Sequence, residues 1–379
     1  PNSITEDAVK KLIRSDPPAL MHKNKANLIK VGNIRDDFNK LANCDLIIEA
    51  VVERLDIKKD LYNRINNIVN SKCVITSNTS TIPIKLLVED MPQSFRERFA
   101  ITHYFNPVRF MRLLELVRGE HTKSEIIKKL ADYNDRILGK GVVACNDTPG
   151  FLGNRVGVYA LQVGMDEAYK LNLTVEEADS LMGRPMGIPK TGIFGLYDLI
   201  GIDLMSDVVD TLGTILPDSD DFHKVGASNN PTAELIKKMI DEGFTGNKGK
   251  GGFYRLDEKE NEFYLDIYNN KTVKKSTQLN EKAKVSAELL EKGKETLFHL
   301  IKNNSNDIQE KKYTSFSRNV LSRVLHYASS LIPEITSSPQ DIDDAMKLGF
   351  NWIRGPFEII DALGKDVVIE LFKENGLST

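Results

Sequence analysis

The chain has 379 residues, a formal net charge of −3 and an apolar content of 41%. This length exceeds what one hydrophobic core usually spans, so two or three domains are expected. The near-neutral charge gives no sign of a nucleic-acid surface or a basic membrane patch, and no apolar run approaches the roughly 20 residues of a membrane-spanning helix. The three cysteines stand singly, without metal-ligand spacing, so no metal site is expected.

The first part of the chain alternates strand-like and helix-like patterns. Apolar runs predict strands at residues 28–31, 45–52, 74–77 and 99–104. Helical spacing over residues 58–69 and 84–91 separates the last three of these runs. Strands that alternate with helices are typical of a parallel, doubly wound sheet, whose ligands bind at the carboxyl ends of the strands.

Polar residues follow three of the predicted strands. Val51, Val52 and Glu53 close one strand, Ser77-Asn-Thr-Ser80 closes the next, and His103 with Asn106 closes the third. Such residues also cap ordinary strand-to-helix turns, so each group alone is weak support for a site. The three groups together, at one edge of a sheet, favour a binding site.

A second apolar run, residues 113–117, follows a turn at Asn106-Pro107 and carries Glu115. If this run forms a strand beside the one that ends at His103, the carboxylate can fix the imidazole tautomer and raise its basicity, which suits a general base. The alternative is a core histidine that lies near an unrelated acid. The neighbouring polar groups favour the catalytic interpretation, and we predict a hydrogen bond between His103 and Glu115.

The pattern changes near Asp147. After a charged helix and a last strand over residues 141–146, Thr148 and Pro149 begin a long helix, and everything beyond is predicted to be helical apart from loops. The Gly/Lys-rich stretch 246–254 lacks the spacing of a phosphate-binding loop, so a mobile surface loop is predicted. Residues 256–312 are lysine-rich and predict a solvated connector with one helix over 281–302.

The second half contains a degenerate repeat. Residues 192–203 match residues 355–366, which aligns Asp198 with Asp361 and Gly201 with Gly364. Upstream, Asn154-Arg155 matches Arg318-Asn319, and Ala178-Asp179 matches Ile342-Asp343. Copies of one helical unit usually pack on each other. We therefore predict two units of the same fold that pack side by side, the second acting as support.

In combination these motifs are specific, and over essentially the whole chain the sequence resembles the 3-hydroxyacyl-CoA dehydrogenase family. The resemblance is closest to the bacterial fatty-acid oxidation enzymes whose helical domain is duplicated. The motifs that carry it are Ile48-Glu-Ala-Val-Val-Glu53, Ser77-Asn-Thr-Ser80, His103-Tyr-Phe-Asn-Pro107, Leu113-Leu-Glu115, Asp147-Thr-Pro-Gly-Phe151 and Asn154-Arg155.

The resemblance implies an α/β part followed by an all-α part: a truncated Rossmann-type doubly wound sheet, then two repeated helical dehydrogenase C-terminal units. The implied domains are a truncated NAD-binding domain over 1–146, a first helical unit for substrate binding and dimerisation over 147–255, the connector over 256–312, and a second helical repeat over 313–379.

The resemblance also implies NAD-dependent oxidation of 3-hydroxyacyl-CoA to 3-ketoacyl-CoA in fatty-acid β-oxidation. It assigns His103 as the base, Glu115 as its partner, and Ser80 and Asn154 as the groups that hold the substrate oxygen. Contacts to NAD are implied for Val51, Val52, Glu53, Lys58, Ser80 and Asn106. A base is needed because a proton must leave the hydroxyl oxygen as a hydride leaves the carbon.

Two departures from the family pattern concern glycine-rich segments. No Gly-x-Gly-x-x-Gly precedes Leu28, although the family begins with a glycine-rich strand-turn-helix, and Lys248-Gly-Lys-Gly-Gly-Phe-Tyr254 replaces the family's Lys-Thr-Gly-x-Gly-Phe-Tyr loop. Since a dinucleotide is held mainly by its pyrophosphate at a helix N-terminus, we expect an N-terminally truncated member that alone binds NAD weakly and has little activity.

Two alternatives stay open at this point. One is a non-catalytic remnant or split-gene fragment that binds only acyl-CoA or a partner subunit. The other is a dehydrogenase of a different hydroxy acid on the same scaffold. The implied partners are the 3-hydroxyacyl-CoA substrate, a missing N-terminal fragment, a hydratase or thiolase, and a second copy in a homodimer, with no nucleic acid. The absence of a signal-peptide pattern predicts a cytoplasmic location.

Overall fold

The computed structural model describes residues 2–226, 230–274, 294–302 and 306–379. The chain divides into two compact units, Pro1–Val142 and Val143–Thr379. No helix in these described ranges is long and apolar enough to cross a membrane.

The N-terminal unit is built on a mixed sheet in the order β1-β2-β3-β4-β5. The strands are β1 Leu46–Glu49, β2 Val74–Ser77, β3 Phe99–Tyr104, β4 Leu113–Arg118 and β5 Gly141–Cys145. The first three strands are parallel, and β4 runs antiparallel to β3. The helices are α1 Ser3–Arg14, α2 Leu55–Asn66, α3 Ile84–Val88, α4 Gln93–Arg96 and α5 Ser124–Arg136, with two 3₁₀ helices at Lys23–Leu28 and Phe38–Asn43.

Strand β3 lies at the centre of this unit, and all six of its residues are buried. Its continuous apolar sequence is that of a strand covered on both faces, because helices pack on each side of such a sheet. Phe99 stacks on Phe95 of α4, with ring centroids 5.7 Å apart. From residue 45 onward, the predicted order of strands and helices is confirmed.

The strand predicted at residues 28–31 is wrong. A 3₁₀ helix ends at Leu28, whose residue surface is 76% exposed, and the chain after it joins no sheet among the described residues. The predicted strand 45–52 is shorter than expected, because β1 ends at Glu49 and the backbone N–H of Val51 turns back to donate to the Glu49 carboxylate. An apolar run forms a strand only where a neighbouring strand pairs with its backbone N–H and C=O groups.

The C-terminal unit is mainly helical. Its helices are α6 Gly153–Lys170, α7 Val175–Leu181, α8 Phe194–Ile200, α9 Ile202–Ile215, α10 Ala233–Asp241, α11 Lys294–Ile301, α12 Ile308–Ser330, α13 Pro339–Gly349, α14 Pro356–Leu363 and α15 Lys365–Glu374. Short 3₁₀ helices occur at Arg184–Met186 and Asp221–Lys224. The predicted fold class, a Rossmann-type sheet followed by a helical part, is confirmed.

A small sheet overturns the expectation that strands end near Asp147. An antiparallel sheet contains β6 Tyr254–Leu256, β7 Glu262–Asp266 and β8 Lys271–Lys274 in that order. Leu265 is fully buried, and the hydroxyl oxygen of Tyr268 lies 2.9 Å from the backbone carbonyl oxygen of Ala168 and 2.8 Å from that of Leu173, both within reach of its one hydrogen. The beginning of the predicted connector 256–312 is therefore packed structure. Most of its predicted helix 281–302 lies outside the described residues, which show α11 at its end.

The Gly/Lys-rich loop 246–254 is anchored rather than a mobile surface loop. The Asp198 carboxylate accepts from the backbone N–H groups of Phe253 and Tyr254, at 2.8 and 2.7 Å, and the Asp198 carbonyl accepts from Asn247. A side chain at Gly252 would collide with this carboxylate, because its Cβ would lie 1.8 Å from Oδ1. Asp198 of α8 therefore holds the loop in place.

The two helical repeats share one local arrangement. In each, an aspartate on the second helix accepts backbone N–H groups at the start of the third helix: Asp179 from Ile193, Phe194 and Gly195, and Asp343 from Phe357 and Glu358. Gly201 and Gly364 both adopt positive φ at the junction with the fourth helix. The matched Asp361, however, is exposed, whereas Asp198 is buried against the loop 246–254.

The repeats pack side by side through α6 and α12, as predicted. The ring of Tyr159 stacks on that of Tyr327 at a centroid distance of 3.8 Å. Arg155, which is fully buried, donates to Glu334 at 2.7 Å, to the Tyr327 hydroxyl at 3.3 Å and to Asp220. This mixed aromatic and ionic contact joins the two repeats along their longest helices.

Candidate active site

His103 and Glu115 form a hydrogen-bonded pair in the N-terminal unit. They are directly opposite each other in the antiparallel β3–β4 register, and Nδ1 of His103 lies 2.6 Å from Oε2 of Glu115. The Glu115 side chain is fully buried, and His103 is 7% exposed. The predicted contact is confirmed. Because a carboxylate only accepts, Nδ1 carries the hydrogen and Nε2 is the basic nitrogen of the neutral ring.

The ends of β2 and β3 are tied together beside this pair. The side-chain oxygen of Asn78 accepts the backbone N–H of Tyr104 at 2.9 Å, immediately after His103. The ring of Phe105 lies 4.8 Å from the imidazole ring, centroid to centroid. The loop that carries Ser80 and the strand end that carries His103 are thereby held at the same edge of the sheet.

A buried acid that the sequence reasoning missed, Glu49, organises the ends of β1 and β2. Its carboxylate accepts from the Val51 N–H at 2.6 Å, the Lys58 ammonium at 2.8 Å, the Tyr62 hydroxyl at 2.6 Å and the Ser77 hydroxyl at 2.7 Å. Burial acts to raise the pKa of Glu49, but the hydrogen bonds from Lys58, Ser77 and Tyr62 outweigh it and hold the pKa below its usual value. The sequence signal was an acid inside an apolar strand with a lysine nine residues later.

Glu53 links this buried network to the Ser80 loop. One carboxylate oxygen accepts from the hydroxyls of Thr79 and Thr81 and lies 3.3 Å from the Ser80 nitrogen, and the other lies 3.2 Å from the Lys58 ammonium. The Glu53 side chain is 39% exposed. Glu53 and Ser80 therefore lie next to each other, and the Glu53 carboxylate is a hydrogen-bond acceptor that reaches the surface.

Lys58 stands behind Glu53 rather than at the surface. Its side chain is 1% exposed, and its three ammonium hydrogens have three neighbouring acceptors: Glu49 at 2.8 Å, Glu53 at 3.2 Å and the Val51 carbonyl at 3.5 Å. The arrangement positions Glu53, and a direct contact from Lys58 to a cofactor stays a prediction. Of the other predicted cofactor contacts, Val52 and Asn106 are exposed, and Val51 and Ser80 are half-buried.

The donor and acceptor set suits the nicotinamide end of NAD. The surface carboxylate of Glu53 can accept from ribose hydroxyls or a carboxamide N–H, and the exposed Val52 offers an apolar contact. No glycine occurs in the turns from β1 to α2 or from β2 to α3, where a pyrophosphate cradle would need one. The described residues thus fit one end of the dinucleotide.

Asn154 lies in the C-terminal unit, as the second residue of α6. The turn before it places Gly150 and the fully buried Phe151 at φ values of +73° and +48°. Residues other than glycine seldom adopt this left-handed backbone conformation. The surrounding structure therefore holds the turn before α6 in a strained conformation at Phe151. Asn154 is half-buried, and its contact with substrate stays a prediction.

Comparison with known proteins gives two family matches. Residues 3–148 match the family model described as 3-hydroxyacyl-CoA dehydrogenase, NAD binding domain. Residues 150–256 and 316–376 match the model described as 3-hydroxyacyl-CoA dehydrogenase, C-terminal domain. The two stretches of the second match correspond to the two helical repeats.

Similar curated proteins include a putative fatty acid oxidation complex trifunctional enzyme of Rickettsia felis, 38% identical over 97% of this chain and 48% of its own length. A probable 3-hydroxyacyl-CoA dehydrogenase of Deinococcus radiodurans is 36% identical over 68% of this chain and 72% of its own length. The chain spans about half the length of the Rickettsia relatives that it matches.

Among solved structures, the 3-hydroxybutyryl-CoA dehydrogenase of Escherichia coli K12 has a similar fold. Its TM-score is 0.69 over 98% of this chain and 86% of that chain, at 20% identity.

Proposed function

The chain belongs to the 3-hydroxyacyl-CoA dehydrogenase family, and from this premise we propose that it oxidises 3-hydroxyacyl-CoA to 3-ketoacyl-CoA with NAD in fatty-acid β-oxidation. The observation that carries the proposal is the 2.6 Å contact between His103 and Glu115 at the edge of the sheet where parallel strands present ligands. A buried carboxylate behind a histidine is the arrangement that general-base chemistry needs.

When bound, NAD would supply the acceptor for the hydride that leaves the substrate carbon. His103 takes the hydroxyl proton at Nε2, and Glu115 holds the Nδ1 hydrogen and stabilises the imidazolium that forms. Ser80 and Asn154 are proposed to donate to the substrate oxygen, which favours the developing negative charge. In the reverse direction the same imidazolium returns the proton to the keto oxygen.

NAD is proposed to lie against the ends of β1 and β2. Glu53 is the acceptor that the Glu49–Lys58 network orients, and Val51, Val52, Ser80 and Asn106 complete the proposed contacts. Lys58 contributes through Glu53, since its ammonium is buried between two carboxylates.

The relatives named as fatty acid oxidation complex trifunctional enzymes support two further proposals. A hydratase or thiolase activity is expected to work with this chain, and the location is expected to be cytoplasmic. A second copy of the chain as partner is also proposed, and size-exclusion chromatography with light scattering tests it.

The function is tested by following NADH oxidation with acetoacetyl-CoA and NAD reduction with 3-hydroxybutyryl-CoA. Wild-type protein and His121→Ala, which alters an exposed histidine of the same unit, should turn over substrate at similar rates, even where weak NAD binding keeps both rates low, and His103→Ala should show no turnover. A folded wild-type protein that binds acetoacetyl-CoA in calorimetry without any turnover would support the non-catalytic alternative instead.

A further inference from the structure

A cavity of about 480 Å³ lies within the first helical repeat, apart from the residues assigned above. It is bounded by α6, α8, α9 and α10, and its lining includes Gln162, Tyr197, Ser206, Val209, Ile236 and Ile240. This volume falls within the range of small-molecule sites.

The orientation of two buried amides in this cavity is fixed by backbone groups. The Asn230 side-chain nitrogen lies 2.9 Å from the Val225 carbonyl, which only accepts, and the Asn230 side-chain oxygen lies 3.0 Å from the Thr232 N–H, which only donates. The remaining hydrogen of the Asn230 amide points at Gln162, 3.1 Å away. Gln162 must therefore present its oxygen to Asn230 and its nitrogen to the hydroxyl of Tyr197.

With the amides in this orientation, one hydrogen of Tyr197 and one of Gln162 have no acceptor among the described residues. Because the Tyr197 oxygen accepts from Gln162, its own hydroxyl hydrogen must be donated elsewhere, and no acceptor for it lies among the residues that the structure describes. The second hydrogen of the Gln162 amide likewise has no acceptor within that part of the chain. Tyr197 is 0% exposed and Gln162 is 3% exposed, and polar hydrogens this deeply buried are normally paired.

Gln162 and Tyr197 both line this cavity, and a ligand oxygen with two lone pairs can accept from both of them. The rim carries three exposed carboxylates, Asp210, Glu234 and Asp241, against one ammonium, Lys237, and this excess of negative charge disfavours an anionic ligand. The walls contributed by Val209, Ile236 and Ile240 suit an alkyl chain.

The second helical repeat has no such donor pair. His326 stands at the position that matches Gln162, and Ile360 stands at the position that matches Tyr197. The polar floor is therefore a feature of the first repeat and not a requirement of the repeat fold.

We propose that this cavity binds a small uncharged carbonyl compound, such as a short-chain amide or ketone, whose oxygen accepts from Tyr197 and Gln162. The alkyl part of the ligand packs on Val209, Ile236 and Ile240, and its carbonyl satisfies the two buried hydrogens. Nothing in this site depends on the dehydrogenase activity.

The test compares hexanamide with hexanoate, which have the same chain length and differ in charge, by ligand-detected NMR titration of the full chain at neutral pH. Wild-type protein should bind hexanamide saturably and hexanoate at least about tenfold more weakly. Tyr197→Phe should weaken hexanamide binding by about tenfold, the usual effect of removing one buried hydrogen-bond donor. Tyr313→Phe is the matched control, because this buried hydroxyl in the same unit already donates to Glu177, and it should leave the affinity unchanged.

Ile236→Trp provides a second variant, which fills the cavity without altering its donors and should abolish binding of hexanamide. The proposal is overturned if folded wild-type protein shows no saturable binding of hexanamide, if hexanoate binds equally well, or if Ile236→Trp binds like wild type. A crystal structure grown with hexanamide that shows only ordered water at the Tyr197 hydroxyl would also overturn it.

Discussion

Nδ1 of His103 lies 2.6 Å from Oε2 of Glu115 because the two residues occupy facing positions of an antiparallel strand pair. The pair is thus set by backbone register, and each side chain is fixed by its own strand. A shift of either strand by one residue would turn its side chain to the opposite face of the sheet.

Substitution of either residue of the catalytic pair is expected to lower kcat. His103→Ala should lower kcat by roughly 10²–10⁴-fold, because it removes the general base. Glu115→Gln keeps the shape but removes the charge that stabilises the imidazolium, so kcat should fall on the order of 10²-fold or more. Steady-state kinetics with acetoacetyl-CoA measure both, with His121→Ala as the control. An unchanged kcat in Glu115→Gln would remove the carboxylate from the mechanism.

Two neighbouring lysines should differ sharply in their effect on stability. Lys58→Met leaves the buried Glu49 carboxylate without its counter-ion, which should cost about 3–5 kcal/mol of unfolding free energy. Lys59→Met breaks only solvent-exposed ion pairs with Glu89 and Asp90 and should cost no more than about 1 kcal/mol. Urea denaturation measures both. Adding Glu49→Gln to Lys58→Met should recover part of the loss, and equal losses in the two single variants would contradict the assignment.

Because of the titration of Asp179, the free energy of unfolding should decrease as pH rises. Burial raises its pKa from 3.8 to about 7, so between these values the native carboxyl holds a proton that the unfolded chain has released. The contribution to folding is therefore largest below pH 4, decreases by at most about 1.4 kcal/mol per pH unit, and levels off above about pH 7.

Denaturant unfolding across this pH range should show a shallower fall in stability for Asp179→Asn than for wild type. Asp203→Asn is the control, because a hydrogen bond from Lys248 lowers the pKa of Asp203 and places its titration below the range. A slope identical in wild type and Asp179→Asn would show that this carboxyl stays ionised.

A glycine substitution tests the shared architecture of the repeats. Gly355→Ala should destabilise the protein by about 1–3 kcal/mol, because the new Cβ would lie 2.1 Å from Oδ1 of Asp343. Gly195→Ala should be neutral or stabilising by up to about 1 kcal/mol, since its nearest neighbours are 3.6 Å away and the position is helical. Thermal unfolding measures the pair, and a tolerated Gly355→Ala would argue against a tight contact there.

The sequence could predict the order of strands from residue 45 to residue 146 and the contact between His103 and Glu115. These strands are continuous apolar runs whose ends are marked by turn residues. It could not identify Glu49 as the organising acid. Glu49 and Glu53 are four residues apart, and only the bend of the chain at Val51 shows that one is buried and the other reaches the surface. Side-chain burial at a turn depends on the path of the backbone, which residue type alone does not determine.

The small sheet of β6 to β8 was also beyond sequence reasoning. All four residues of β8 are exposed, and its lysines resemble those of a solvated connector. Its neighbour β7 is held by Tyr264 and Leu265, which are too few apolar residues to produce a clear alternating pattern.

Arg155 makes part of the first repeat dependent on side chains of the second. This guanidinium is fully buried in the first repeat, but its partners Tyr327 and Glu334 belong to the second, as does the ring that covers Tyr159. A gene shortened after residue 256 would encode a protein with a half-paired internal cation and an uncovered aromatic face. We therefore expect that a chain from which the second copy is lost would also need a change at Arg155, which would hinder reversal of the duplication by a single mutational step.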